Sequence, residues 1–191
     1  ARDNRLTHLP GSIGQLQRLR TLALEGNRLH SLPTTISSCH MLRTLTLSVN
    51  RLLTLPPLDG LTSLQELRID DNPLTCLPES LPPNLRVLGL SVCQKVTSLP
   101  DTLCTLTHLE QLAIGAARIS NLPDAIDQLT SLVTLQLSGN TLTSLPSTIG
   151  ALTGLATIEL TDNRLTQLPA ALCHLPRLAT LRVSENRLTH L

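Results

Sequence analysis

Cysteine and histidine are the residues of this chain with the greatest capacity for chemistry, and the sequence holds five cysteines and six histidines. The cysteines are odd in number and none has CxxC spacing, which argues against a zinc ribbon or a disulfide framework and favours reduced thiols. Cysteine precedes histidine at Cys39-His40 and Cys173-His174, but adjacent residues on different faces rarely form a catalytic dyad. The sequence has no phosphate-binding loop or nucleophile elbow. We therefore expect no enzymatic activity in this polypeptide, with no catalytic residue, no metal and no cofactor.

The composition restricts the classes of partner that the chain is expected to bind. Lys and Arg number 15 against 14 Asp and Glu, and Phe, Tyr and Trp are absent. A balanced charge lacks the basic excess of most nucleic-acid-binding proteins, and without aromatic rings there are no platforms for base stacking. No apolar run approaches the roughly 18 residues of a membrane span. We predict neither a nucleic-acid partner nor a transmembrane helix.

A Leu-Pro pair recurs along the chain, and its proline falls at positions 10, 33, 56, 78, 100, 123, 146 and 169. Neighbouring pairs are 22 or 23 residues apart, and each unit follows the frame LxxLxLxxNxLxxLPxxIxxLxx, as in "LRTLALEGNRLHSLP". In the LxL segment the side chains alternate, so the leucines of a short strand point to a core and the intervening residues point outward. A single unit cannot bury its own leucines, so stability is expected from the stacking of neighbouring units.

The frame and its period resemble the leucine-rich repeat family. The resemblance extends over the whole chain and implies an α/β fold, namely a leucine-rich repeat solenoid. In that fold a curved parallel β-sheet forms the concave side, and irregular, 3-10 or short helical segments form the convex side. We expect residues 1–191 to form one domain of about eight repeats. Because the chain starts and stops within the pattern, we expect it to be excised from a larger protein.

An asparagine follows the strand segment of most units, where its amide can donate to and accept from the backbone of successive turns. The predicted structural ladder occupies Asn4, Asn27, Asn50, Asn72, Cys93, Asn140, Asn163 and Asn186. Cys93 replaces the asparagine within "LPESLPPNLRVLGLSVCQKVTSLP", and Ala117 replaces it in the next unit. We interpret Cys93 as a structural variant of the repeat, with a thiol as a weak donor where an amide stood.

Two groups of leucine-rich repeat proteins have similar units. The long units resemble those of type III secreted effectors of plant-associated bacteria, of the XopL and PopC kind. The stretch "LPESLPPNLRVLGLS" is similar to the compact repeats of IpaH- and SspH-type effectors. This resemblance implies secretion by bacteria into the host cell cytoplasm and binding to a host protein. One alternative is the specificity module of a ubiquitin ligase whose catalytic domain lies outside these residues and is itself a possible partner. Another alternative is a scaffold of the Ras-group repeat class.

The resemblance also implies that partners bind to the outward residues of the concave face. The centre of this face is small and apolar with charged residues beside it, as in many protein interfaces. We predict partner binding by Thr46, Val49, Glu66, Arg68, Asp70, Asp71, Val87, Val92, Gln111, Ala113, Gln136, Glu159, Asp162 and Arg182. The shorter units, the interrupted ladder and the apolar patch coincide in sequence. This coincidence makes the centre of the array the candidate position for the partner, and the alternative is that small residues there only relieve crowding on a curved sheet.

Overall fold

Eight short strands form a single parallel β-sheet in the computed structural model, which describes residues 1–190. Strand order in the sheet follows the order in sequence. The strands are β1 Thr21–Ala23, β2 Thr44–Thr46, β3 Glu66–Arg68, β4 Val87–Gly89, β5 Gln111–Ala113, β6 Thr134–Gln136, β7 Thr157–Glu159 and β8 Thr180–Arg182. The predicted α/β solenoid with a parallel sheet is confirmed.

The central residue of each strand from β2 to β7 is buried in the core, whereas Leu22 of β1 is partly buried and Leu181 of β8 is 39% exposed. Leu45 pairs with Leu67, which pairs with Leu88, and all three side chains are fully buried. The first and third residues of a strand point to the opposite face of the sheet, away from the core. Glu66 and Arg68 of β3 therefore remain half-buried on that face. This alternation is the one expected from LxL, because successive side chains of a strand point to opposite faces.

Residues 1–190 contain six 3-10 helices on the return segments, of which η1 precedes β1 and the other five lie between strands. They are η1 Gly11–Gln15, η2 Thr34–Ser38, η3 Asp101–Thr105, η4 Asp124–Gln128, η5 Ser147–Ala151 and η6 Ala170–His174. Each helix follows the proline of a Leu-Pro pair, and at Pro33 the backbone is extended, with φ −67° and ψ 142°. Proline holds φ near this value and lacks an N–H, so it suits the residue just before a helix. The Leu-Pro pair therefore marks where each return segment turns.

Two return segments near the middle have no helix. Within residues 1–190 none lies between β2 and β3, or between β3 and β4. The strand starts are 23, 22, 21, 24, 23, 23 and 23 residues apart along the chain. The shortest unit precedes β4 and the longest follows it, yet each strand pairs in register with the next. The variation in length is therefore absorbed outside the sheet.

The core is aliphatic throughout. Leucine and isoleucine supply most of its buried side chains, and Cys93 and Val96 are buried among them with no exposed surface. Full burial of one such side chain is worth about 1.5–3 kcal/mol relative to exposure, and stacking provides it for every inner unit. None of the helices in residues 1–190 has the length and apolar character needed to cross a bilayer.

The asparagines after the strands bond to the backbone of two neighbouring turns. Asn50 Nδ2 donates to the carbonyls of Leu24 at 2.9 Å and Leu47 at 2.8 Å. Asn50 Oδ1 accepts from the N–H of Leu29 at 3.0 Å. The same three contacts recur at Asn27, Asn72, Asn140, Asn163 and Asn186. Asn4, in the first turn, bonds instead to the carbonyl of Arg2.

The hydrogen-bond ladder is interrupted at Cys93 and Ala117. The Cys93 thiol donates weakly to the carbonyl of Ile69, with a sulfur-to-oxygen distance of 3.6 Å. In the part of the chain that the structure describes, the Leu74 N–H and the Leu90 carbonyl make no hydrogen bond to protein atoms. Both residues are fully buried. An asparagine at position 93 would reach both groups, since these are the positions that Asn50 and Asn72 serve in their own units.

Candidate protein-binding face

The candidate binding face consists of the outward strand residues and the turn residues that follow each strand. Sheet register places the third residues of the strands side by side, from Thr46 through Arg68, Gly89, Ala113 and Gln136 to Glu159 and Arg182. It also places Glu66 beside Val87, and Val87 beside Gln111. The predicted binding residues on the strands therefore lie in two continuous columns on one surface.

Asp70 is the centre of a polar network on this face. Its Oδ2 accepts from the Ser48 hydroxyl at 3.2 Å, and its Oδ1 accepts from the Ser91 N–H at 2.8 Å. The Ser91 hydroxyl in turn accepts from the Gly115 N–H at 3.1 Å. The Asp70 carboxylate is thus fixed by the preceding and the following unit. Beside it, Arg68 Nε donates to Glu66 Oε1 at 2.6 Å, so these two charges are also held in place.

Val49 and Val92 combine two unfavourable features at the edge of the face. Their side chains are 52% and 43% exposed, and their backbones are left-handed, with φ 59° and 60°. Asp71, in the turn between them, has φ 51° and is also exposed. A left-handed conformation costs a β-branched residue roughly 1–2 kcal/mol, and exposed apolar surface is not compensated by burial. The left-handed conformation recurs at this turn position in every unit, so it belongs to the repeat, and valine is the residue type there that suits it least.

A shallow groove runs beside Val92. It has a volume of about 330 Å³ and is bounded by Asp71, Pro73, Val92 and the loop residues Gln94 and Lys95. That loop carries the extra residue of the unit after β4. The additional length therefore creates a recess between an acidic turn and an exposed apolar side chain.

The far end of the face carries a second polar group. Glu159 Oε2 accepts from Gln136 Nε2 at 3.3 Å, and Glu159 Oε1 accepts from Arg182 Nη1 at 2.9 Å. Asp162 lies in the following turn, exposed and with φ 56°. This group is separated from the Asp70 network by the small residues of β4 and β5. Two charged clusters therefore lie on either side of an uncharged centre.

The uncharged centre differs in exposure from residue to residue. Val87 and Ala113 are half-buried, and Gln111 is exposed. Thr46 is only 5% exposed, so it offers little surface to a partner. Gly89 packs so closely against Asp70 that a Cβ there would meet the carboxylate. Glycine at this position thus leaves room for the aspartate in the neighbouring unit.

The thiol in the interrupted ladder is not poised for catalysis. Burial raises the pKa of Cys93 to about 11, and the charges of Asp70 and Asp71 act in the same direction. Thiolates, rather than thiols, are nucleophiles, so this environment suppresses reactivity. Burial also raises the pKa of Cys39 and of Cys104. Among residues 1–190, no group of three His, Cys, Asp or Glu side chains is arranged to hold a metal ion.

Two protein-family models match the sequence of the chain. A model described as "Leucine rich repeat" matches residues 2–52 and 17–74, and one described as "Leucine-rich repeat region" matches residues 75–157. The chain is a leucine-rich repeat domain. No curated protein matches this domain in sequence.

Several solved leucine-rich repeat structures are similar to the domain. A leucine-rich repeat protein of Leptospira interrogans is 38% identical with a TM-score of 0.94, and the match covers 98% of this chain and 48% of that one. YopM from Yersinia enterocolitica is 29% identical with a TM-score of 0.72, covering 96% of this chain and 36% of that one. Drosophila Toll, in complex with Spatzle, is 27% identical with a TM-score of 0.83, covering 97% and 26%. The domain thus spans about half the length of the Leptospira protein and a smaller share of the other two proteins.

Sequence reasoning did not identify several residues that shape the face of this leucine-rich repeat domain. Ser48 and Ser91 fix Asp70, but serine at these positions is indistinguishable in sequence from a solvated turn residue. The left-handed turn position had a detectable signal. Glycine or aspartate occupies it in five of the nine units and Ala116 and Glu185 in two others, and glycine and aspartate are the residues that tolerate positive φ best. Valine at that position therefore departs from a pattern that was visible in the sequence.

Proposed function

We propose that this leucine-rich repeat domain binds a host protein through the centre of the candidate face, as the target-recognition domain of a bacterial type III effector. The observation that carries the proposal is the pair of exposed, left-handed valines beside the fixed Asp70 carboxylate. A partner that covers the valines removes their apolar surface from water, and burial of apolar surface favours association. Activity of the whole protein, including a ligase activity, depends on residues beyond these.

The chemistry of the face specifies the partner segment. Asp70 and Asp71 favour a basic side chain, and the recess beside Val92 favours a compact apolar one. The partner surface is therefore expected to present a Lys or Arg next to an aliphatic residue. Long units combined with one compact unit support the effector assignment. Delivery into the host cytoplasm is part of the same proposal.

A differential capture experiment tests the binding face. Host-cell extract is passed over the wild-type domain, over the double variant Arg68→Glu and Val92→Glu, and over a matched control, Arg118→Glu and Val133→Glu. The control changes the same residue types at exposed positions outside the predicted set. We expect one host protein to be retained by the wild type and control but lost by the face variant. Equal recovery from all three would show that the centre of the face does not bind the partner.

Delivery requires a separate measurement on the full-length protein. A cytosol-activated reporter fused to it, expressed in the source bacterium, is expected to give signal inside host cells. The signal should disappear when the type III apparatus is disabled. A signal that persists without the apparatus would exclude the effector assignment while leaving the binding face untouched.

A further inference from the structure

A second groove lies at the other edge of the sheet, where the strands begin. It has a volume of about 310 Å³ and extends along the units of β2 to β5. Arg43, Gln65 and Arg86 line it, and each is the residue immediately before a strand. None of the predicted partner-binding residues lines this groove. An inference about it is therefore independent of the proposed recognition function.

The two return segments without helices provide the other wall of the groove. Thr62 and Ser63 lie on the segment before β3, and Asn84 lies on the segment before β4. Asn84 Nδ2 donates to the carbonyl of Thr62 at 2.8 Å, which joins the two segments. In the other units between strands a 3-10 helix begins directly after the proline. The groove thus lies beside the two return segments that have no 3-10 helix within residues 1–190.

Backbone hydrogen bonds align the cationic side chains. The Gln65 N–H donates to the Arg43 carbonyl at 2.9 Å, and the Arg86 N–H donates to the Gln65 carbonyl at 2.8 Å. Neighbouring strands lie about 4.8 Å apart, so the backbones of Arg43 and Arg86 are separated by roughly 10 Å. The long, flexible side chains of Arg43 and Arg86 can bridge this backbone separation, so both guanidinium groups can reach one small anion between them.

The charge of the groove is incompletely neutralised. Arg86 Nη1 contacts Glu110 Oε1 at 2.5 Å, which balances one guanidinium. Arg43 makes no ion pair within residues 1–190. The Thr62 and Ser63 hydroxyls, the Gln65 amide and the His108 ring supply further hydrogen-bonding groups around it. The lining contains no carboxylate.

We propose that this groove binds a small ligand through a phosphate-type oxyanion. Arginine forms bidentate, charge-assisted hydrogen bonds with such groups, and hydroxyl and amide donors complete the oxygen contacts. The volume lies at the lower limit for small-molecule sites, which suits inorganic phosphate or a sugar phosphate. Glu110 holds Arg86 through Nη1, so the other N–H groups of the guanidinium stay available to the anion.

Titration of the domain with inorganic phosphate and with glucose 6-phosphate at low ionic strength tests the proposal. Binding is followed by the imidazole resonances in NMR, where His108 reports on the groove and His8 on a distant unit. We expect saturable shifts of His108 with little change at His8. Tighter binding of glucose 6-phosphate would identify the ligand as a phosphate monoester, and tighter binding of inorganic phosphate would identify the free ion.

Charge-matched variants separate the groove from general electrostatics. Arg43→Gln with Arg86→Gln should weaken binding by at least about tenfold, the loss expected when charge-assisted hydrogen bonds are removed. Arg118→Gln with Arg164→Gln removes the same charge elsewhere and should change affinity by less than about twofold. Arg43→Gln alone, which breaks no ion pair, should also weaken binding. Equal weakening in both double variants, or no saturable His108 shift with either ligand, would overturn the proposal.

Discussion

Val49 and Val92 are the two β-branched residues among the nine left-handed positions of the described chain. Asparagine tolerates this conformation because its short polar side chain can hydrogen-bond locally, whereas valine does not. The strain at these valines belongs to the native state alone. Valine thus opposes stability at these positions without being required by the fold, since glycine or aspartate adopts the same conformation in equivalent turns.

Replacing the valines should stabilise the domain. We expect Val49→Asn and Val92→Asn each to raise the free energy of unfolding by about 1 kcal/mol, because left-handed strain is relieved. Urea denaturation measures the change. Leu53→Asn is the matched control, because Leu53 is 49% exposed but is not left-handed. A similar increase in the free energy of unfolding for Leu53→Asn would show that the effect comes from the loss of exposed apolar surface and not from relief of backbone strain.

The cysteines should fall into two classes of reactivity. At pH 8 we expect Cys76 and Cys173, which are exposed, to react with a thiol reagent while the three buried thiols remain protected. With a pKa of about 11, roughly one Cys93 thiol in a thousand is ionised at this pH. Mass spectrometry of labelled peptides identifies the sites. Rapid labelling of Cys93 in the folded domain would contradict the assignment of a structural role.

The same pKa predicts how stability depends on pH. The ordinary value is 9.0 and the folded value about 11, so above pH 9 the unfolded chain releases this proton first. The stabilising contribution is complete below pH 9 and is lost as pH rises towards 11. Unfolding free energies of the wild type should therefore fall over this range more steeply than those of Cys93→Ala.

At the scale of elements, the interrupted ladder is a local defect in an otherwise repeated set of hydrogen bonds. Leu74 and Leu90 each bury a backbone polar group that other units satisfy with an asparagine. Leaving such a group unpaired costs about 1–3 kcal/mol. The alanine at position 117 leaves no backbone N–H unpaired, because the Val96 N–H of that unit already bonds to the Cys93 carbonyl at 2.9 Å.

Restoring the asparagine should therefore help at one position more than at the other. Cys93→Asn provides an acceptor for Leu74 and a donor for Leu90, and we expect it to raise the free energy of unfolding by about 1–3 kcal/mol. Ala117→Asn would pair only the Leu90 carbonyl, so it should raise the free energy of unfolding by less. Urea midpoints at constant m-value report the difference. An equal or larger gain from Ala117→Asn would show that the Leu74 N–H is not the costly group.

The fold could be predicted from the sequence in most respects, because it depends on spacing. Leucine alternation determines which strand side chains are buried, and the Leu-Pro pair marks the return segment. Shortened units indicated an irregular centre, but not that helices are lost there, since one or two residues fewer are compatible with several local conformations. The groove with Arg43 and Arg86 was missed because its residues are common solvated types and converge only through the register of separate units.

For the whole molecule, a chain of units with nearest-neighbour contacts is only as cooperative as its weakest junction. The junction of β4 and β5 lacks the asparagine contacts of two successive units. We expect hydrogen exchange in moderate urea to show the units of β1 to β4 and of β5 to β8 opening with different free energies. Cys93→Asn should bring the two values together. A single opening free energy in the wild type would show that core packing alone couples the halves.

Strand register persists through units of 21 to 24 residues, so the domain separates two kinds of evolutionary change. Substitutions on the sheet alter what the surface recognises without altering length. Insertions and deletions in the return segments alter length without moving any recognition residue to another column. A peptide grafted between Glu79 and Ser80, which are both exposed, would therefore extend from the return segment of the compact unit while the strands stayed in alignment.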